Sequence, residues 1–237
     1  MRHIPRLLLL ALAVILAVGC SIRQDVTVAA DGSGTVSMRI KLEQVFMDYL
    51  TDLAELTGDS RGGRIFDVEE IKKGFAERDD LELRRISSPT PDVLEMEIAF
   101  RSIERVFARE EKLQRAGIVS FTKTAAGYSL RFHLERGNFD QVLEFLPFLQ
   151  NPLFEGLGPQ EGDATTESEY LEMIELALGA EGAAKLKTST IETRVAVKGT
   201  LVSQEGGAVS GGVVTYRTPL LRVLLLDKPV DYSIVFR

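Results

Sequence analysis

The chain has 237 residues, of which 45% are hydrophobic, and its formal net charge is −7. This length and apolar content are sufficient for a buried core, which excludes a wholly disordered chain. Basic residues are outnumbered and interleaved with acidic ones, which argues against nucleic acid as a partner, because binding to phosphate backbones depends on clustered Lys and Arg.

The first 19 residues have the layout of a secretory signal peptide. Arg2 and Arg6 supply a basic start, and an unbroken apolar run covers residues 7–18, which is too short to span a bilayer stably. The run leads through Gly19 into Cys20, the single cysteine of the chain. This junction resembles a bacterial lipobox, so we expect cleavage between Gly19 and Cys20 and attachment of diacylglycerol and palmitate-like acyl chains to Cys20. In the alternative, Cys20 is an incidental residue of a membrane anchor or a secreted chain.

Acyl chains on Cys20 would make the membrane a partner without a second transmembrane helix, since each buried methylene contributes about 0.8 kcal/mol. The next most apolar stretch, residues 220–226, is short and interrupted by Arg222. With Cys20 acylated no thiol remains to form a disulfide, so the fold depends on its core. The expected location is the bacterial cell envelope, on the periplasmic side or at the cell surface.

Residues 20–237 are interpreted as a single envelope domain that begins with a hairpin and two helices. Apolar and polar residues alternate over 35–42, which predicts a strand paired with 25–30 through the turn at 31–34. A helical stripe of apolar residues predicts a helix over 43–57. A capping-box-like start then predicts a second helix over 67–78.

The middle of the chain repeats the order of hairpin and helix. The pattern predicts strands over 81–87 and 93–101, a helix from Ser102 to Gly117, strands over 118–124 and 128–135, and an apolar helix over 138–150.

The last third begins with a stretch rich in Gly and Pro over 151–165, which we interpret as a linker or long loop. Thr166 and Glu169 then predict a capped helix, and strands are predicted over 190–202, 208–217 and 230–236. This order of elements indicates an α+β fold, with an antiparallel twisted sheet built from hairpins and helices packed on one face.

Residues that could carry out chemistry are sparse. After signal cleavage one histidine remains, His133, on the polar face of a predicted strand, where we expect it to be solvated. Carboxylate pairs such as Asp79 and Asp80 sit beside basic residues, and we expect them to be solvated surface charges. The chain has no nucleophile elbow, no zinc-ligand spacing and no P-loop. We therefore expect no enzymatic activity, no catalytic residue, no metal and no cofactor.

In residues 138–154, apolar side chains cover a larger part of the helix circumference than the one-sided stripe of a surface helix does. Pro147 should kink or end this helix. Such a segment is buried centrally, faces a protein partner, or lines an apolar cavity for a lipid. In the cavity interpretation the lining residues would be Phe139, Leu143, Phe145, Leu146, Phe148 and Leu149.

Both ends of the processed chain resemble the LppM-type bacterial envelope lipoproteins. The resemblance lies in the stretch that follows Cys20 and in a later Gly-rich hairpin, with matching positions at Asp31, Gly32, Gly199, Gly206, Gly207, Gly212, Val213, Thr215 and Tyr216. The chain departs from the family at Tyr216, where relatives have Trp, and in having no apolar helix after the last strand. The resemblance implies a compact ectodomain that binds a lipid or glycolipid.

The function expected from these observations is that of a non-enzymatic, lipid-anchored envelope lipoprotein with a lipid or glycolipid ligand. The alternative is a structural or assembly lipoprotein that contacts another envelope protein. An enzyme would need clustered polar residues in a cleft, with His133 or a carboxylate pair among them.

Overall fold

A computed structural model of the chain describes residues 20–57, 66–109, 115–125, 127–143 and 165–237. The predicted signal peptide and residues 151–164 of the predicted loop lie outside these ranges.

The described residues form eleven strands and six helices, which confirms the α+β class. The strands are β1 Cys20–Ala29, β2 Gly34–Leu42, β3 Leu81–Ser87, β4 Val93–Phe100, β5 Val119–Thr124, β6 Gly127–Leu134, β7 Thr190–Lys198, β8 Leu201–Glu205, β9 Ala208–Ser210, β10 Val213–Pro219 and β11 Val230–Phe236. The helices are α1 Gln44–Thr57, α2 Val68–Ala76, α3 Ile103–Ala108, α4 Arg136–Leu143, α5 Glu167–Thr188 and α6 Leu220–Leu225.

The strands form two sheets where the sequence predicted one. The large sheet has seven strands in the order β3-β4-β2-β1-β7-β10-β9, and the small sheet has four in the order β5-β6-β11-β8. Neighbouring strands are antiparallel except β1 and β7, which run parallel. This parallel pair joins the first strand to one that is about 170 residues away, and local pairing preferences carry no signal for such a contact.

Local sequence signals account for the hairpins and the helix starts. β1 and β2 pair across the predicted turn, from Cys20 opposite Leu42 to Val28 opposite Gly34. Asp67 caps α2 by accepting hydrogen bonds from two backbone N–H groups. Thr166 and the side chain of Glu169 form the predicted capping box of α5.

Two helical features differ from the sequence expectations, and the predicted helix from Ser102 is described only in part. α3 ends at Ala108, residues 110–114 of the predicted helix lie outside the described residues, and Arg115 is again helical. α5 has a break at Gly179, whose φ of 72° is left-handed. α6 was not predicted, and it follows directly from β10. Five of its apolar residues are buried, so the apolar stretch at 220–226 forms part of the core.

The two faces of the large sheet differ in polarity. The inner face is buried and carries the alternating apolar residues of β1, β2 and β4, together with side chains from the helices and the small sheet. The outer face carries charged side chains in cross-strand pairs, among them Arg39 with Glu95 and Arg217 with Glu192. No helix in the described part of the chain combines the length and apolar character needed to cross a membrane.

Candidate apolar binding site

The two sheets are joined along one side by a bent segment at Gly206 and Gly207. β8 pairs with β11 of the small sheet, whereas β9, after the two glycines, pairs with β10 of the large sheet. The segment thus turns the chain from one sheet into the other. Gln204 stabilises the bend, because its side-chain amide donates to the Gly207 carbonyl and accepts from the Gly207 N–H, both at 2.9 Å.

Glycine is required at the bend because two tyrosine rings lie against it. A Cβ atom at Gly206 would lie 2.7 Å from Tyr232, and one at Gly207 would lie 2.7 Å from Tyr216. The backbone of Gly206 is also left-handed, with a φ of 82°. The two glycines therefore allow the tyrosines of β10 and β11 to meet, with ring centroids 4.5 Å apart.

An apolar cavity of about 100 Å³ lies beside this tyrosine pair, between the inner faces of the two sheets. Its described lining comes from β1, β7 and β10 on one side, from β5, β6 and β11 on the other, and from Val223 of α6. Leu130, Phe132 and Ile191 belong to the lining and are only half-buried, which marks where the cavity meets solvent.

A row of polar side chains crosses the large-sheet wall of the cavity. Gln24, Thr193 and Tyr216 occupy matching register positions on β1, β7 and β10. The rows on either side contain Ile22, Ile191 and Thr218, and Val26, Val195 and Val214. The cavity therefore has one polar stripe between mostly apolar rows.

The polar groups of this wall are hydrogen-bonded across strands and between sheets. Thr193 donates to the side-chain carbonyl of Gln24 at 3.3 Å. The phenol of Tyr216 donates to the backbone carbonyl of Ser233 on β11 at 2.9 Å, and the hydroxyls of Thr218 and Tyr232 are also bonded to each other. The bonds from Tyr216 to Ser233 and between Thr218 and Tyr232 tie the large sheet to the small one beside the cavity.

Sequence reasoning missed these residues, although a signal was present. Strand β1 alternates Ile22, Gln24, Val26 on its buried face, and Gln24 is only 3% exposed. A polar residue at an inward position of an otherwise apolar alternation indicates either a buried network or a binding wall.

The residues predicted to line a pocket are mostly outside the described part of the chain. Phe139 is described, is 2% exposed and does not line the cavity between the sheets. Leu143 ends α4, but its side chain is not described, and Phe145, Leu146, Phe148 and Leu149 lie beyond the described residues. The prediction of a pocket against that helix stays a prediction.

His133 lies in an ionic cluster and not in the fully solvated position that the strand pattern predicted. Its side chain is 23% exposed, with Nδ1 2.8 Å from Asp231 and Nε2 3.6 Å from Glu135. Arg131 donates two hydrogen bonds to the same Asp231, at 2.8 and 2.6 Å, and holds the pKa of that carboxyl below its ordinary value. Both imidazole nitrogens thus face carboxylates.

Asp80, predicted to be a solvated carboxylate, is buried in an ion pair. Arg78 donates to both of its oxygens, at 2.7 and 2.6 Å, and Arg109 adds a third bond at 2.9 Å. Burial alone would raise the pKa of Asp80, but the bonds and the charge of Arg78 outweigh burial and lower it. Among the described residues, no three His, Cys, Asp or Glu side chains are placed to hold a metal ion.

Comparisons with known proteins give one distant likeness. No protein-family model and no curated protein matches the chain. Among solved structures, the chain is similar to the NMR structure of the folded domain of LppM from Mycobacterium tuberculosis, with a TM-score of 0.41 and 10% identity over 92% of this chain and 90% of that one. Membership of the LppM-type family stays a prediction from the two ends of the sequence.

Proposed function

We propose that this protein is a lipid-anchored bacterial envelope lipoprotein, without enzymatic activity, whose two-sheet body binds the apolar tail of a lipid or glycolipid. The observation that carries the binding proposal is the cavity between the sheets, which is enclosed mainly by apolar side chains and has an opening. Small-molecule sites in proteins are concave and mostly apolar, with a few placed polar groups.

The start of β1 supports the anchoring part of the proposal. The first strand begins at Cys20 itself and pairs there with Leu42. An acyl group on Cys20 would therefore hold the domain at the membrane surface without an intervening linker, close to lipid tails that could enter the cavity.

The size of the cavity limits what it holds. About 100 Å³ is less than the ~150 Å³ of an engineered cavity that binds benzene. The cavity thus accommodates the end of an acyl chain, and a longer segment requires the sheets to separate.

Anchoring is tested by Cys20→Ser in the full-length chain. We expect mass spectrometry of this variant to find no acyl mass on residue 20 and no cleavage before it, whereas Ser21→Ala keeps both the acyl mass and the cleavage. A wild-type chain without an acyl mass on Cys20, or an acyl mass that persists in Cys20→Ser, would contradict lipid anchoring through Cys20.

Lipid binding is tested with residues 20–237 carrying Cys20→Ser, a chain that contains the whole described core. Native mass spectrometry after incubation with bacterial membrane lipids should show a bound lipid. Leu130→Trp, at the half-buried mouth, should reduce the bound fraction at least tenfold. The control is Leu176→Trp on α5, because Leu176 is 90% exposed and lies outside the cavity. A bare mass for the parent chain would overturn the proposed binding.

A further inference from the structure

Apart from Arg131, the described polar side chains that line the cavity are neutral. They provide an amide, hydroxyls and phenols, and burial raises the pKa of Tyr216, which keeps its phenol protonated at physiological pH. The charged residue in the described lining is Arg131, but its guanidinium donates to Asp231 and is half exposed.

A carboxylate or phosphate inside this cavity would lose its water without gaining a cation from the described lining other than Arg131, whose charge is already paired with Asp231. Burial of an unpaired charge is far more costly than burial of a hydrogen-bonded neutral group. The described walls therefore select against anions and accept a chain that carries a neutral polar group.

The polar row offers a hydrogen-bond acceptor to such a group when the group is a hydroxyl. The hydroxyl of Thr193 donates to Gln24 at the long distance of 3.3 Å and keeps lone pairs that can accept from a ligand hydroxyl.

We propose that the cavity takes an uncharged chain with a hydroxyl group, which donates a hydrogen bond to Thr193, and that it rejects carboxylate anions such as free fatty acids at neutral pH. This inference rests on the proposed lipid binding and narrows its ligand to neutral alcohols.

The test uses three probes that are comparable in length to the end of an acyl chain: hexan-1-ol, hexanoate at pH 7.4, and benzene. Their affinities for residues 20–237 with Cys20→Ser are measured from the methyl NMR shifts of Val195 and Ile234. We expect hexan-1-ol and benzene to bind and hexanoate to bind at least tenfold more weakly than hexan-1-ol.

Matched variants separate the polar row from the apolar cavity. Thr193→Val should lower the affinity for hexan-1-ol about three- to tenfold, which is the effect of one hydrogen bond, and should leave the affinity for benzene unchanged. Thr193→Ser keeps the hydroxyl and should retain hexan-1-ol binding.

The outcomes distinguish this inference from the proposed function. Equal affinities for hexanoate and hexan-1-ol, or an affinity for hexan-1-ol that is unchanged in Thr193→Val, would overturn the selectivity. Neither result would contradict lipid binding itself. Failure of both hexan-1-ol and benzene to bind would overturn the cavity as a ligand site, and the proposed function with it.

Discussion

The inner face of the large sheet is filled differently at its two ends. At the end formed by β2 and β4, Met38, Ile40, Met96 and Ile98 are all buried and share a core with apolar side chains of α1 and α2. We call this the packed half. At the end formed by β7 and β10, the polar row faces the small sheet across the cavity, and we call this the cavity half.

The contrast indicates that a cavity remains where the large sheet is covered by the small sheet and not where it is covered by helices. Side chains on helices can interdigitate closely with a sheet face, and protein interiors normally reach crystal-like density. Two sheets that are bridged at one side by a bent strand have less freedom to approach, so a gap persists beside the bend. We therefore interpret the cavity as a product of the connection at Gly206 and Gly207.

The largest expected effect is in the buried ion pair, which lies between α2 and β3 beside the packed half. Asp80→Asn removes the carboxylate charge that faces the buried Arg78 guanidinium. We expect the free energy of unfolding at pH 7 to fall by about 3–5 kcal/mol in urea titrations. Glu69→Gln is the control, because Glu69 forms an exposed pair with Lys72; equal effects of the two substitutions would contradict the assignment.

The same pair predicts a pH dependence. Because the pKa of Asp80 is lowered in the folded state, the unfolded chain binds more protons in acid. The stabilisation is present above the ordinary value of 3.8 and is lost as the pH falls below it. Unfolding measured between pH 5 and pH 2 should show a shallower loss of stability in Asp80→Asn than in the wild-type chain.

Ile98→Ala tests the packed half directly. Ile98 is 1% exposed in the middle of β4, and truncation of such a residue costs about 2–5 kcal/mol. Val202→Ala on half-exposed β8 should change the free energy of unfolding by less than about 0.5 kcal/mol. A small effect of Ile98→Ala would mean that the packed half is not closely packed.

The same substitution of Val by Leu, made once in each half, compares how closely the two halves are packed. Val36→Leu adds a methylene to the packed half and should cost about 1–3 kcal/mol. Val195→Leu adds it to the cavity wall, where there is room, and should cost little. Thermal unfolding of the two variants provides the measurement, and equal losses in stability would contradict a difference in packing.

Tyr216→Phe has the smallest expected effect. It removes the hydrogen bond from the phenol to the Ser233 carbonyl, which joins the two sheets. The expected loss is about 0.5–1.5 kcal/mol, measured by urea unfolding. No change in stability would indicate that the bond between the sheets is replaced by water.

The sequence predicted the parts of the fold that depend on neighbours in the chain. The hairpin of β1 and β2 follows from alternation and a turn, and the start of α5 follows from Thr166 and Glu169. The parallel pairing of β1 with β7, and the division into two sheets, depend on contacts between distant segments. No local pattern encodes such contacts.

The candidate site could be predicted only in part for the same reason. Gln24 and Thr193 occupy inward positions of their strands, so their burial could be read from the alternation. That they line one cavity together with Tyr232 could not, because it depends on the bend at Gly206 and Gly207. The anchor at Cys20 is a local motif, and the ligand cavity is a property of the assembled sheets.

The most direct test of the two-half account is NMR of methyl-labelled residues 20–237 with Cys20→Ser under xenon pressure, since xenon enters apolar cavities that are empty of water. We predict that the methyl signals of Val195 and Ile234 shift as xenon binds, while those of Ile40 and Ile98 do not. Shifts confined to the packed half, or no shift in either half, would contradict a ligand cavity between the sheets.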